Sequence, residues 1–250
     1  MKATIAHNNR QYEVNLSQPL DISLPLRGSK ENVTAWYVGP PKIAPHREDG
    51  FVGSVAAGAS TNFNDIWFNP HAHGTHTECV GHITEHVVSV NQSLSHYFFM
   101  AQLISLEPCS VHGDRVITEE QLRSALGSER PEALVLRTLP NSRDKRSRQY
   151  AHTDPPYLSE AAARFLAEMG VGHLLVDLPS VDKEKDGGAL LAHRAFWNVG
   201  GKVRDRATIT EFVFVDSAIA DGPYFLNLQL APFENDASPS RPVLFPVHPV

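Results

Sequence analysis

Eighteen prolines and sixteen glycines are spread along the whole of this 250-residue chain, and they limit the length of any regular element that it can form. Proline removes a backbone donor and glycine weakens helices and strands, so both residues favour turns. The chain also lacks an apolar run of eighteen residues, so we expect no transmembrane helix. This distribution predicts many short helices and strands joined by turns.

The composition is that of a globular protein with a substantial core, since 42% of the residues are hydrophobic and 20% are charged. A net charge of -6 argues against nucleic acid as the partner. Two cysteines are too few for a disulfide framework, and the first residues lack an apolar run of signal-peptide length. We expect one domain over residues 1–250, located in the cytoplasm, with no nucleic-acid or membrane partner.

The middle of the chain alternates helices with apolar strands. Thr118 opens a Thr-Glu-Glu-Gln capping-box pattern that predicts the start of a helix. An apolar strand follows over Ala133–Thr138, then a helix that begins at Ser159 and ends at Gly170, then a second strand over His173–Leu178. This strand–helix–strand order is typical of a parallel pair in an α/β fold.

Further strands are predicted on both sides of this unit. The N-terminus has the pattern of a hairpin that turns at Asn8-Asn9, and Tyr97–Leu106 is an apolar run that suits a buried strand, with a helix as the alternative. The last third of the chain offers three more strands, at Thr208–Val215, Tyr224–Leu230 and Val243–Val247. The chain therefore predicts a mixed α/β architecture with more strand than a doubly wound fold has.

A dense group of potential metal ligands lies between Pro70 and His86. Imidazole and carboxylate groups are the side chains that bind Zn²⁺ and similar divalent ions. Within this stretch are five of the thirteen histidines, one glutamate and one cysteine: His71, His73, His76, His82, His86, Glu78 and Cys79. Such density favours a metal or active site, whereas Cys79 is better interpreted as a small buried hydrophobic residue.

Strand periodicity separates these residues. Proline, glycines and threonines disfavour a helix here, and in a strand residues two apart share a face, so His76 and Glu78 should face one ion. His82 is six residues after His76, so in a continuous strand it would lie on the same face. A bulge near Gly74 would turn His71 onto that face, and His73 remains the alternative.

A second group of polar residues lies far along the chain. Asp177, Ser180 and Asp182 follow the predicted strand at His173–Leu178, and strand ends commonly carry functional sites. His193 and Glu211 come later, and Glu211 lies within an apolar strand, where an unpaired carboxylate costs several kcal/mol. Glu211 is therefore expected to bind a cation or, alternatively, to form a salt bridge with Arg137 or Arg206.

These residues, taken in order, resemble the putative cyclase family of metal-dependent hydrolases, which includes the bacterial-type kynurenine formamidases. The resemblance spans roughly residues 20 to 245 and is strongest at Gly74-Thr75-His76-Thr77-Glu78 and His82. It also covers the following segments: Asp21-Ile22-Ser23, Leu136-Arg137-Thr138, the Asp177-to-Asp182 turn, His193, Glu211 and Asp236–Val243. The fold that it implies is a single-domain α/β fold of the swivelling β/β/α type, with a mixed, barrel-like sheet and flanking helices.

The resemblance assigns roles to individual residues. It implies that His71, His76 and Glu78 bind one ion, and that Glu78 bridges to a second ion held by His193 and Glu211. The ions would be Zn²⁺, with Mn²⁺ as the alternative, and one or two would be bound per chain. Two further residues complete the implied site: His82 as the proton donor and acceptor, and Trp36 as a residue that lines the substrate pocket.

Three departures from the family pattern bear on the site. Glu78 stands where the family has Asp, Ala72 stands at the spacing of its first histidine, and Val80 replaces its proline. The implied activity is hydrolysis of a small amide by metal-activated water, with an aryl formamide such as N-formylkynurenine or a cyclic amide as substrate. The alternatives are a non-catalytic binding protein of the same fold, or a cyclase or dehydratase with the same site. The resemblance also implies a homodimer or larger homo-oligomer.

Overall fold

The computed structural model describes all 250 residues, Met1–Val250, and is built around one large mixed sheet. Its strands are β1 (Lys2–His7), β2 (Arg10–Asn15), β3 (Leu20–Asp21), β4 (Lys42–Pro45), β5 (Arg47–Glu48), β6 (Phe51–Val52), β7 (Asn64–Trp67), β8 (His76–Glu78), β9 (Phe98–Leu106), β10 (Cys109–Val111), β11 (Asp114–Ile117), β12 (Ala133–Thr138), β13 (Tyr157–Leu158), β14 (His173–Val176), β15 (Thr208–Glu211), β16 (Gly222–Asn227), β17 (Ala237–Pro239) and β18 (Val243–Pro249). The helices are α1 (Val90–Ser93), α2 (Glu119–Leu126), α3 (Glu160–Glu168) and α4 (Leu191–Phe196), with 3₁₀ turns at Val55–Ala57, Val80–Ile83 and Arg143–Arg146.

The main sheet has eleven strands in the order β1-β2-β18-β16-β9-β12-β14-β15-β8-β17, with β3 also paired to β18. Its centre, from β9 through β12 and β14 to β15, is parallel, and antiparallel strands extend it on both sides. A three-stranded sheet (β10-β11-β13) and two small two-stranded antiparallel sheets (β4-β7 and β5-β6) lie outside it. This confirms a single-domain mixed α/β fold with a large mixed sheet and few helices.

The predicted strand–helix–strand unit is present, with β12 and β14 parallel and α3 between them in sequence. Local signals fix both of its helices. The Thr118 hydroxyl and the Gln121 side chain form a complete capping box at α2, and the Ser159 hydroxyl accepts from the Ala162 amide at α3. Gly170 follows α3 with a φ of 85°, a conformation that glycine adopts without strain.

Alternate residues of β12 enter two different apolar clusters, as the period of two along a strand requires. Leu134 and Leu136 pack with the apolar faces of the helices, whereas Ala133 and Val135 pack with side chains from β9, β14 and β16. Because both faces of the central strands are covered, the sequences of these strands are nearly continuous apolar runs, without alternation of polar and apolar residues. The central sheet is therefore buried on both faces.

Several expected boundaries need correction. The strand expected over Thr208–Val215 ends at Glu211, because Phe212 has a φ of 56° and turns the chain out of the extended conformation. The strand expected over Tyr224–Leu230 is β16, which starts at Gly222 and ends at Asn227. The hairpin at Asn8-Asn9 and the strand within Tyr97–Leu106 are confirmed. None of the helices has the length and apolar character needed to cross a bilayer.

Candidate metal centre

Strand β8 lies between β15 and β17, and its pairing with β15 brings distant residues into register. His76 lies directly opposite Glu211, and Glu78 is two residues further along the same face of β8. His76 Nε2 is 3.5 Å from Glu211 Oε2 and 3.9 Å from Glu78 Oε2. All three side chains are buried. The expected shared face of His76 and Glu78 is therefore present, with Glu211 beside them.

The Gly74-Thr75 segment fixes the His76 ring. Gly74 has a φ of 142°, and its carbonyl accepts from His76 Nδ1–H at 3.0 Å, which leaves Nε2 as the nitrogen with the free lone pair. The Thr75 hydroxyl accepts from the Leu24 amide at 2.7 Å and donates to the Phe212 carbonyl at 2.5 Å. The residue before the strand thus ties β8 to the end of β15.

His71 and His73 take opposite sides of the turn that precedes β8. His71 Nδ1 lies 3.0 Å from Glu78 Oε2, inside the cluster. His73 is turned away, because its Nδ1 accepts from the Asn69 amide and its Nε2–H donates to the Gly39 carbonyl, both at 2.8 Å. Burial lowers the pKa of His73, which fits a neutral ring with both nitrogens occupied. The bulge expected near Gly74 is not what places His71, because residues 70–72 form a turn and β8 starts only at His76.

His82 reaches the cluster by a different route from the expected one. It lies in the 3₁₀ turn Val80–Ile83, so the alternation of side chains along a strand does not determine where it points. The expectation that this stretch contains no helix is wrong for these four residues. A side chain at Gly81 would collide with the Val88 carbonyl, which explains the glycine. His82 Nε2 is 3.9 Å from Glu78 Oε2, and its ring stacks on that of His71 at 4.1 Å.

The two other residues of the stretch lie outside the cluster. Cys79 is buried, and its thiol donates to the Val88 carbonyl at 3.2 Å. Burial raises the pKa of the Cys79 thiol, as expected for a small apolar residue rather than a nucleophile. His86 is exposed.

His193 is carried into the cluster by α4. Asp182 accepts from the Ala192 amide at 2.7 Å and the His193 amide at 3.1 Å, which satisfies two free donors at the start of this helix. Its Oδ2 also accepts from His193 Nδ1–H at 2.5 Å. His193 Nε2 therefore faces inward, 3.0 Å from Glu78 Oε1 and 3.8 Å from Glu211 Oε1. This is the carboxylate–histidine arrangement that orients metal ligands.

Neither arginine considered as a partner of Glu211 contacts it. The Arg137 guanidinium donates to the Asp221 carboxylate and to the carbonyls of Asp216 and Ile219. The Arg206 guanidinium donates to the Ser95 hydroxyl. Glu211 instead accepts from the Val181 amide at 3.0 Å and faces the histidines. The structure favours the cation alternative for this carboxylate.

Asp177 and Ser180 have supporting positions. Asp177 is buried and accepts from Thr138 and from Lys145, whose Nζ is 2.8 Å away. The Ser180 hydroxyl accepts from the Asp182 amide at 3.0 Å. These two residues shape the loop that carries Asp182.

One acidic residue of the cluster was missed among the candidate site residues. Asp236 lies just before β17, and its Oδ2 is 2.8 Å from His71 Nε2 and 3.3 Å from His82 Nδ1. The sequence signal was weak, because Asp236 appeared only as part of the closing segment of the family resemblance. Its position in space depends on the pairing of β17 with β8, which joins segments that are far apart in sequence.

The electrostatics show strong mutual attraction within the cluster. Burial opposes protonation of His71 and His193, yet the adjacent carboxylates of Asp236 and Glu78 raise the pKa of His71 to about 10, and those of Asp182 and Glu78 raise that of His193 to about 10. Burial likewise favours the neutral form of Glu78, but the surrounding histidines hold its pKa well below the usual range. Without an ion, protons occupy positions where a cation would be favourable.

Two buried atoms test whether a metal ion fits. His76 Nε2 and Glu78 Oε2 have no hydrogen-bond partner, although each side chain is only 1% exposed. An unsatisfied buried polar group costs about 1–3 kcal/mol. Ligand atoms of His71, His76 and Glu78, and likewise those of Glu78, His82 and His193, lie within 4.8 Å of one another. This set of imidazole and carboxylate groups is able to hold a divalent metal ion.

Trp36 lies beside the cluster. Its indole N–H donates to the His71 carbonyl at 3.0 Å, and the ring packs against a small apolar cluster that includes Phe212 and Tyr150. The contact anchors the turn that carries His71. The predicted role of Trp36 in lining a substrate pocket stays a prediction.

A comparison with known protein families finds one match for this sequence. A family model described as Putative cyclase matches residues 14–183, which is more than half of the chain. The chain belongs to the putative cyclase family. The matched residues include His71–His82 and Asp182, whereas His193, Glu211 and Asp236 lie beyond them. No curated protein sequence matches this member of the family.

Solved structures similar to this family member have the same fold at low sequence identity. One described as a predicted metal-dependent hydrolase from Bacillus stearothermophilus has a TM-score of 0.62 at 18% identity, and the match covers 91% of this chain and 98% of that one. Isatin hydrolase A from Ralstonia solanacearum has a TM-score of 0.65 at 16% identity, with 91% of each chain covered. An isatin hydrolase bound to the product analogue thioisatinate has a TM-score of 0.63 at 16% identity, with 92% and 93% covered.

Proposed function

We propose that this protein is a metal-dependent hydrolase that cleaves a small amide, either an aryl formamide such as N-formylkynurenine or a cyclic amide. The observation that carries the proposal is the buried carboxylate of Glu78, which faces four histidines while one of its oxygens has no hydrogen-bond partner. Membership of the putative cyclase family supports hydrolysis, and the isatin hydrolases among the structural neighbours support the cyclic amide.

The proposed metal ligands are the inward-facing residues of the cluster. These are His71, His76, Glu78, His193 and Glu211, which would hold one or two ions, with Zn²⁺ favoured and Mn²⁺ as the alternative. A divalent ion at such a site supplies a water of lowered pKa and polarises a carbonyl group. The carboxylate of Glu78, one methylene further from the backbone than the Asp of the family pattern, lies within 3.9 Å of all four histidines.

His82 is the proposed general base and acid. Its side chain is 30% exposed, unlike the fully enclosed His76 and His193, so a substrate can approach it. Hydrolysis joins the water oxygen to the carbonyl carbon and breaks the carbon–nitrogen bond. His82 would accept the proton from water and pass it to the leaving nitrogen, and an imidazole suits both tasks near neutral pH.

The experiment that tests this function combines metal analysis with turnover. Purified protein should contain Zn²⁺ or Mn²⁺ by elemental analysis and hydrolyse isatin or an N-formyl arylamine in an absorbance assay. His82→Ala should lose about 10²–10⁴-fold in turnover and keep its metal, whereas His86→Ala, an exposed histidine outside the cluster, should change neither.

Other outcomes separate the alternatives. Loss of metal in His82→Ala would make His82 a ligand. Metal binding without turnover of any amide, lactam or ester would favour the non-catalytic alternative, for which the departures at Ala72 and Glu78 are the specific features. Conversion of a polar ring precursor instead would favour a cyclase or dehydratase.

A homodimer or larger homo-oligomer and a cytoplasmic location are further proposals. The two-stranded sheet β4-β7 and the residue before β7 expose large apolar side chains, and such patches commonly mark interfaces. The exposed residues are Ile43, Phe63, Ile66 and Trp67. Sedimentation velocity of the full chain would test the assembly, and a monomer at all concentrations would contradict it.

A further inference from the structure

Asp236 connects the cluster to the strand at the edge of the main sheet. Its backbone carbonyl accepts from the Cys79 amide at 3.0 Å, and the next residue, Ala237, pairs with Glu78 across β17 and β8. The backbone of Asp236 is therefore fixed relative to Glu78 by strand pairing. Its side chain is 26% exposed and turns toward the histidines.

One oxygen of this carboxylate contacts two histidines. Asp236 Oδ2 lies 2.8 Å from His71 Nε2 and 3.3 Å from His82 Nδ1. The two rings stack with centroids 4.1 Å apart and an interplanar angle of 27°. Asp236 thus holds the two rings as a pair.

The opposite nitrogen of each ring points to a common atom. His71 Nδ1 is 3.0 Å and His82 Nε2 is 3.9 Å from Glu78 Oε2, the buried oxygen that has no hydrogen-bond partner. The Asp236 carboxylate only accepts hydrogen bonds, so the nitrogens that it contacts, Nε2 of His71 and Nδ1 of His82, carry hydrogen. When a metal ion takes the place of the second proton, the ring is neutral and its other nitrogen offers a lone pair.

We propose that Asp236 is a positioning residue that fixes the tautomers of His71 and His82 and so presents Nδ1 of His71 and Nε2 of His82 to the metal centre. This rests on the proposed function only in taking Glu78 as part of a metal site. The arrangement explains how a histidine at position 71, rather than at the family spacing of Ala72, supplies a ligand atom: the ring is held from behind by a carboxylate.

The other two histidines of the cluster are oriented in the same manner. His76 Nδ1–H donates to the Gly74 carbonyl, and His193 Nδ1–H donates to Asp182. Each ring is held through one nitrogen while the other faces Glu78. Asp236 completes this pattern for His71, which lies in a turn, and for His82, which lies in a 3₁₀ turn. Neither residue is part of a strand, so strand pairing does not orient these two rings.

The test is a pair of measurements on the zinc-loaded full chain. Long-range ¹H–¹⁵N spectra of the histidine rings report which nitrogen is protonated, with assignments from His71→Gln and His82→Gln. In the wild-type protein we expect Nε2–H for His71 and Nδ1–H for His82. The dissociation constant for Zn²⁺, measured by competition with a chelator, is compared among Asp236→Ala, Asp236→Asn and the control Glu234→Gln, an exposed acid of the same segment.

Removal of the carboxylate should weaken zinc binding by about 10–100-fold in Asp236→Ala, with a smaller loss in Asp236→Asn, which keeps one acceptor oxygen. Glu234→Gln should match the wild type. The proposal is overturned if His71 carries its proton on Nδ1, or if Asp236→Ala binds zinc as tightly as Glu234→Gln. The wild-type spectra do not depend on the Asp236 variants, so a poorly folded Asp236→Ala does not block the test. Absence of hydrolysis with these results intact would refute only the proposed function.

Discussion

Asp182 offers a well-defined perturbation, because one carboxylate both accepts from amides in the first turn of α4 and orients His193. It accepts from the amides of Ala192 and His193 and, at 2.5 Å, from His193 Nδ1–H. Asp182→Asn keeps the shape and one acceptor oxygen but removes the charge. The side-chain NH₂ group of asparagine then faces at least one of these three N–H groups, and two donors cannot form a hydrogen bond.

The expected loss follows from this geometry. A hydrogen bond to a charged group contributes about 1.5–3 kcal/mol, and asparagine is nearly as good as aspartate at the start of a helix. We therefore expect a loss of about 2 kcal/mol in the free energy of unfolding without metal, or about 4–8 °C in Tm for a chain of this length. Zinc affinity should also fall by about 10–100-fold, because the ring of His193 is no longer held.

Thermal unfolding with a chelator and zinc competition without it measure the two effects separately. Asp186→Asn is the matched control, since Asp186 accepts from loop amides before α4 and does not contact His193. Unchanged zinc affinity in Asp182→Asn would refute the positioning of His193 by Asp182. An equal loss in Asp186→Asn would assign the effect to the loop instead.

Two further predictions concern buried charge outside the metal centre. Lys145→Met should cost about 3–5 kcal/mol in urea unfolding, because it leaves the buried carboxylate of Asp177 without its ion pair, whereas the exposed Lys185→Met should cost little; equal costs would contradict the role of this pair. Burial, with Arg204 and His96 nearby, lowers the pKa of His173 to about 4 from an ordinary 6.5, so the unfolded chain binds the extra proton and stability is lost as the pH falls from 6.5 to 4. Chelator-treated His173→Gln should therefore lose less stability than the wild type between pH 7 and pH 4, by up to about 3 kcal/mol; parallel losses would refute this assignment.

Local patterns in the sequence were sufficient for the centre of the fold. The capping box at Thr118, the stop at Gly170 and the apolar runs of β12 and β14 are signals that neighbouring residues determine. The end of β15 was not predictable in this way. The apolar residues after Glu211 continue the strand pattern, but Phe212 adopts a positive φ, and its backbone bonds to Leu178 and Thr75, which are distant in sequence.

The candidate site was also predictable only where its geometry depends on neighbouring residues in the sequence. His76 and Glu78 share a face because they are two residues apart in one strand, and this was predictable. His82 reaches the cluster through a 3₁₀ turn, and the choice of His71 over His73 depends on contacts with Gly39, Asn69 and Glu78. Asp236 depends on strand pairing across more than 150 residues, which no local period reveals.

The amount of metal bound after reconstitution tests the central claim most directly. Protein stripped with a chelator, dialysed against Zn²⁺ and analysed by mass spectrometry should hold one or two ions per chain, and Glu78→Gln should hold less than the wild type because Glu78 contacts every histidine of the cluster. A wild-type chain that retains no metal, or a Glu78→Gln variant that retains the wild-type amount, would contradict a metal centre at these residues.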